Sequence, residues 1–389
     1  MLVLSGYIMA VDRAIRSQTI YLNHLGNFSI YKKGAVKELY RDPQKYLLNK
    51  QDQELIAKTL NEFQNKIEFV APILSSFALL SSGDKNLPLF IQAYPKGFSA
   101  YIANHKELKE NIPTLQSQLT VSDGVSLTSN LYNMLGQTFP LKEKIEVQIL
   151  GKTLDGYFNG ITEELTGKHL TGMVFSEDIS AKMSLEKLQE LMATDKVNNL
   201  AVFLNDVDET QSLIKTILSE LPKGKYEIFA YDSDEIGFYY TGTMSFVMSI
   251  GIFFYVLITL ASVLSIINTL TMSINERTKE IGTLRSIGFT TTHISRLFTL
   301  EVLVLTIGSI VVSSICYLIV SKIINSLEIP FEPAGSSSYV YFTIVTSFKI
   351  AIIHAGALIL ITFITSYLSC KKKMNFKIAE LLNEQGVFK

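Results

Sequence analysis

The chain has 389 residues, 48% of them hydrophobic and 18% charged, with a formal net charge of -1. This balance is too apolar for an ordinary water-soluble protein and too charged for a chain lying wholly in lipid, so part of it belongs in a membrane. The near-zero charge, with no Cys/His zinc spacing and no RNP-type aromatic motif, argues against nucleic acid as a partner.

In chain order, the first apolar stretch is "MLVLSGYIMAV". As a helix these residues rise only about 16 Å, against a hydrocarbon core of about 30 Å. The following "DRAIRSQ" lacks the small residues of a signal-peptide cleavage site. We read residues 1–20 as the end of a first spanning helix whose cytoplasmic half lies outside this sequence; an interfacial anchor is the other reading.

Residues 21–240 read as a mixed α/β domain. "FSIYKKG" alternates like a strand, Lys50 to Lys66 has helical spacing through Leu55, Leu60 and Phe63, and "FVAPILSSFALL" with "LPLFIQAY" read as consecutive strands. Farther on, "NLAVFLN", "DVDETQSLIKTILSEL" and "KYEIFAY" form strand, helix, strand. The intervening residues 111–193, with short runs such as "KIEVQIL", read as a β-rich lobe inserted into the first.

Three apolar runs of spanning length follow: 241–274, 298–320 with the single charge Glu301, and 350–370. The uncharged stretch from Thr241 to Ile274 would rise about 51 Å, well past the bilayer core, so its outer end is expected to emerge as a stalk. Pairs of small residues, Ala261 with Ser265 and Ala351 with Ala355, stand at four-residue spacing, a pattern that permits close helix packing. Arg277, Lys279, Arg285 and Arg296 lie between the first two runs, and Lys371, Lys372, Lys373 and Lys377 follow the last; from Ile323 to Phe348 there is no Lys or Arg. Basic flanks stay in the cytoplasm. The loop 321–349 and the α/β domain are therefore expected outside, and the tail 371–389 inside.

Catalytic motifs are not found. His24, His105, His169, His293 and His354 are scattered without metal-ligand spacing, "LTGKHLTG" lacks the flanking residues of a Walker A loop, and there is no GxSxG elbow. No metal or cofactor is expected on this chain. Cys316 and Cys370 fall inside or at the end of apolar runs, which excludes a disulfide framework for the polar part. His354, inside the last run, is expected to hydrogen-bond a neighbouring helix.

The segment 275–289, "NERTKEIGTLRSIGF", joins the first two runs. As a helix it sets Ile281, Leu284 and Ile287 at three-residue spacing among Arg277, Lys279, Glu280 and Arg285, which is amphipathic. Gly288 stops it and the threonines after it offer N-caps for the next helix. Sequence physics leaves two readings open: a helix lying passively on the bilayer surface, or a docking knob for a cytoplasmic partner.

The run from Leu264 to Ser314, "LSIINTLTMSINERTKEIGTLRSIGFTTTHISRLFTLEVLVLTIGSIVVSS", resembles the FtsX-like ABC transporter permeases, including the MacB-, LolC- and LolE-like permease subunits. The resemblance covers Thr241 to Cys370. It implies a membrane protein with an α-helical transmembrane bundle, a large α/β periplasmic domain inserted between helix 1 and helix 2, and a coupling helix that seats on a separate cytoplasmic ABC ATPase, which would bind the ATP. Glu276, Arg277, Lys279, Glu280, Ile281, Leu284, Arg285 and Gly288 stand at the family's E-R-x-x-E-I-x-x-L-R-x-x-G positions, and Ile287 continues the apolar stripe. The implied location is the bacterial inner membrane, and the implied partners are a second permease copy or paralogue, membrane lipid and a hydrophobic or lipoprotein cargo. A transmembrane signalling scaffold that activates a cell-wall hydrolase is the alternative; a catalytic outer domain is disfavoured because no catalytic constellation is recognisable.

Overall fold

One long strand organises the α/β domain in the computed structural model, which describes residues 1–112, 122, 124–332, 336, 337 and 339–373. β2 (Ile67–Ser82) pairs antiparallel with β8 (Asn199–Leu204) over its first half and with β3 (Lys85–Tyr94) from Leu74 onward. β1 (Phe28–Lys32) and β9 (Tyr226–Ala230) extend the first pairing into an antiparallel sheet in the order β2-β8-β1-β9. Every residue of β8 is buried because both faces of this sheet are covered. Leu200 and Val202 meet Ile56 of α4 (Lys50–Asn61) and Ile217 of α9 (Thr210–Glu220) on one face. Ala201 and Phe203 meet Tyr21 and Phe98 on the other. α4 begins at a reciprocal cap, in which Asn49 Oδ1 accepts from the Asp52 amide at 2.8 Å and Asp52 Oδ2 accepts from the Asn49 amide at 3.3 Å.

The second half of β2 belongs to a different sheet. From β3 the order runs through β7 (Ser180–Ser184), β4 (Val125–Leu127), β6 (Phe158–Lys168) and β5 (Glu146–Lys152), and β5 returns to pair with β2, so the strands close into a ring. Leu80, Ile91, Leu127, Ile149, Leu165 and Met183 fill it. α7 (Ser129–Leu135) and α8 (Leu185–Met192) supply Leu131 and Leu188 to the same core. The β-rich lobe thus starts within β2 rather than at Asn111: one strand serves both sheets, and no turn residue marks the change. Short helices fill the remaining connections: α2 (Ala35–Glu38), α3 (Pro43–Tyr46), α5 (Phe98–Asn104) and α6 (Lys106–Asn111).

The chain divides into two compact units: Val11–Ser245 with Pro330–Tyr341, and Met1–Ala10 with Phe246–Ile329 and the chain from Phe342 onward. In the second unit α10 (Phe238–Glu276), α12 (Thr291–Ser326) and α13 (Phe348–Lys373) are the described helices long and apolar enough to cross a membrane. The apolar runs read from sequence lie inside them, and each helix continues into its polar flanks. α10, at 39 residues, rises about 58 Å. α1 (Leu2–Ser17) ends in a π-helical turn, Gln18–Leu22. Its Ser5 hydroxyl bonds Tyr255 of α10 and, at 3.0 Å, Nε2 of His354 in α13. His354 therefore serves as a helix-to-helix hydrogen-bonding group.

The loop after α12 joins the α/β unit. Its strands β10 (Pro330–Phe331) and β11 (Val340–Tyr341) pair with each other, and Ser337 donates from Oγ to Glu177 at 2.7 Å and from its amide to the Gly172 carbonyl at 3.3 Å. Residues 330–341 of the loop therefore belong to the same compact unit as the α/β domain. Most of the basic tail, from residue 374, falls outside the described residues.

Candidate coupling site

The connector between α10 and α12 is built from three local signals. Arg277 interrupts the helical backbone (φ -105°, ψ 23°), and Thr278 Oγ1 turns back to the Asn275 carbonyl at 2.7 Å. α11 (Thr278–Ser286) follows, and Gly288 ends it in the left-handed region (φ 105°), with the Phe289 amide donating to the Leu284 carbonyl at 3.1 Å. Thr290 then caps α12, its Oγ1 accepting from the His293 amide at 3.3 Å. The sequence reading ran one helix through Asn275 and Glu276; both instead finish α10.

The nine candidate residues divide by exposure. Ile281 is 2% exposed and packs with Leu270, Ile274, Ile294, Phe298 and Cys370, and Leu284 leans on the same cluster. These two side chains anchor the connector to its own bundle. Glu276, Arg277, Lys279, Glu280, Ile287 and Gly288 are exposed, and Arg285 is half-buried. Ile287 at 71% and Phe289 at 49% exposure form an apolar knuckle around the glycine stop. Phe289 was not singled out from sequence, because it lies beyond the helical stripe; only the turn brings it beside Ile287.

Arg277 is fixed rather than free. Its guanidinium bonds Glu301 of α12 through two parallel contacts, Nη2 to Oε1 at 3.1 Å and Nη1 to Oε2 at 3.2 Å, and lies 6.0 Å from the Phe298 ring centroid. This explains the one charge in the second apolar run: Glu301 sits about one helical turn past Phe298 and faces the end of α10. The connector is thus a short, doubly anchored helix that offers a mixed-charge face and a small apolar knuckle.

Residues 252–378 match the FtsX-like permease C-terminal family. The ABC transporter permease YtrF of Bacillus subtilis (strain 168) is 27% identical over 164 residues, covering 42% of this chain and 34% of that protein, so the match spans about a third of the relative's own length. Among solved structures, the extracellular domain of the noncanonic ABC-type transporter YknZ from Gram-positive bacteria aligns with a TM-score of 0.34 at 14% identity, covering 52% of this chain and 100% of that one. The periplasmic region of MacB from Actinobacillus actinomycetemcomitans aligns with a TM-score of 0.34 at 16% identity, covering 53% and 88%. The C-terminal third of this chain, with its three long apolar helices and the connector between the first two, is thus similar to the C-terminal region of the FtsX-like permeases, and its helices are those of a membrane protein.

Proposed function

We propose that the chain is the membrane subunit of an ABC transporter, that it is not itself an ATPase, and that α11 and the knuckle after it receive a separate cytoplasmic ATPase. The observation that carries this reading is the anchored connector: a basic, amphipathic helix held by Ile281 and the Arg277–Glu301 pair, with Ile287 and Phe289 left exposed. On this reading α10 is a rod that carries nucleotide-driven movement at the connector to the extracytoplasmic α/β domain, a two-state element biased from one end. The cargo is a hydrophobic molecule such as a lipoprotein. Support for an apolar cargo comes from a cavity of about 400 Å³ in the helical unit, lined by Ile258, Ile310, Val320 and Leu358 with Ser262 and His354. A second permease copy completes the transporter.

Co-purification from native membranes tests the reading. Wild type should bring an ATPase with it, and Ile287→Asp should lose that ATPase at least tenfold while inserting normally, since the side chain is exposed. Leu284→Asp is the poorer probe because it also disturbs the bundle. Absence of any ATPase from the wild-type preparation refutes the transporter reading and favours a signalling scaffold.

A further inference from the structure

The α/β unit contains a buried polar group that coupling leaves without a task. Lys182 of β7, His24 in the loop after the π-helical turn, and Tyr94 at the end of β3 are 9%, 4% and 5% exposed. Lys182 Nζ lies 3.5 Å from His24 Nε2, which is its one polar contact among the described residues. His24 Nδ1 and the Tyr94 hydroxyl are buried with no partner among those residues. All three side chains line a cavity of about 40 Å³, together with Ser99, Ser126 and His169.

Nearby polar groups are already engaged. His169 bonds Ser126 Oγ through Nδ1 at 3.1 Å and Ser180 Oγ through Nε2 at 3.2 Å. The carboxylate that acts on Lys182, Glu177, accepts through its Oε1 from the Thr171 amide, the Thr171 hydroxyl and the Ser337 hydroxyl, each at 2.7 Å.

Counting donors decides the chemistry. A Lys182 ammonium donating to His24 Nε2 requires the imidazole proton on Nδ1. The remaining Lys182 N–H groups and the His24 Nδ1–H are then donors and the Tyr94 hydroxyl can donate as well as accept, and none has a partner among the described residues. Buried donors in this state are costly, and an anion accepts from all of them at once. A water molecule placed there could donate only to the Tyr94 oxygen among these three groups, so the donors outnumber what it can satisfy. The cavity exceeds the roughly 10–15 Å³ that a single water-sized guest requires but has no room for an extended ligand.

We propose that Lys182, His24 and Tyr94 form a binding site for a small inorganic monoanion of halide size. The bound ion ties β7 and β3 to the loop that brings the chain from α1 into the sheet. Burial pushes the Lys182 amine down to about 7, opposed by Glu177, while burial first and then the Lys182 and His169 charges hold His24 well below the usual imidazole range. His169 is likewise held low by burial and Lys182, and burial keeps Tyr94 a phenol. Anion binding is therefore linked to protonation of Lys182 and is stronger in mild acid.

The test is thermal unfolding of the full chain in lipid nanodiscs, with chloride exchanged for gluconate at constant ionic strength. At pH 6.0 the wild-type Tm should climb with chloride and saturate, bromide should substitute, and the midpoint should move to higher chloride by on the order of thirtyfold at pH 8.5. Lys182→Met should remove the response. Should that variant fail to fold, Tyr94→Phe, which deletes one oxygen, should raise the chloride midpoint several-fold. A wild-type Tm indifferent to the exchange overturns the proposal. So does a Lys182→Met variant that keeps the response, or an unmoved midpoint in Tyr94→Phe.

Discussion

Ile281 and Ile287 share a sequence stripe, but their surroundings differ. Ile281 packs in a cluster with five other buried side chains, whereas Ile287 is largely exposed. Ile281→Ala should cost about 2–4 kcal/mol by leaving a cavity, and Ile287→Ala within about 0.5 kcal/mol, measured as denaturant or thermal midpoints in one detergent. The Arg277–Glu301 pair is about half exposed, at 45% and 40% of its side-chain surface. A double-mutant cycle on Arg277→Ala and Glu301→Ala should therefore give a coupling energy below about 1 kcal/mol, despite the two-pronged geometry.

The buried residues of the α/β unit give a pH signature with a definite sign. With its amine at about 7 in the folded chain and 10.5 ordinarily, Lys182 is neutral when folded and protonated when unfolded between those values. The unfolded chain binds the extra proton, so in chloride-free buffer this contribution makes stability rise from pH 7 toward pH 10, and Lys182→Met should flatten that rise. His24 and His169 are both held well below 6.5, so stability should fall as pH drops through 6.5 and below. Melting curves of wild type and His169→Gln across pH 4.5–7 check this; the variant should lose part of the acid sensitivity.

At the scale of elements, glycine sets two close geometries. Gly288 holds a φ of 105°, which a residue with a Cβ adopts only under strain, so Gly288→Ala should cost about 1 kcal/mol and shift Ile287 and Phe289. Cysteine labelling rates at those two positions would report the shift. In the helical unit, a Cβ on Gly6 would lie 2.6 Å from Ile344 Cγ2 and 2.8 Å from the Val345 carbonyl oxygen. The backbone atom cannot swing aside, so Gly6→Val should dislodge α1 and break the Val345 N–H bond to the Gly6 carbonyl. The long helices were legible because lipid demands about 20 consecutive apolar residues, a signal that needs no tertiary context. The stop at Gly288 and the cap at Thr290 were legible for the same reason: both are local backbone chemistry. The pairing of Arg277 with Glu301 was not, because it joins residues 24 positions apart in the chain.

For the whole molecule, the basic flanks lead us to expect the connector inside the cell and the α/β unit outside. In a background with Cys316 and Cys370 replaced by Ser, an impermeant maleimide should label Asn86→Cys in intact cells and Ser286→Cys only after permeabilisation. The opposite pattern would invert the topology. What the sequence determined by itself was what depends on neighbours along the chain: the three helices long and apolar enough to span a membrane, the amphipathic connector and the strand-rich character of residues 21–240. Only the tertiary structure decided what depends on distant residues. It showed that β2 is shared between a sheet and a ring, that Ile281 faces inward while Ile287 does not, and that positions 24, 94 and 182 converge on one cavity. Periodicity records which face of an element is apolar; it holds no information on which distant partner covers that face, because burial and hydrogen bonding are settled by contacts between segments far apart in the chain.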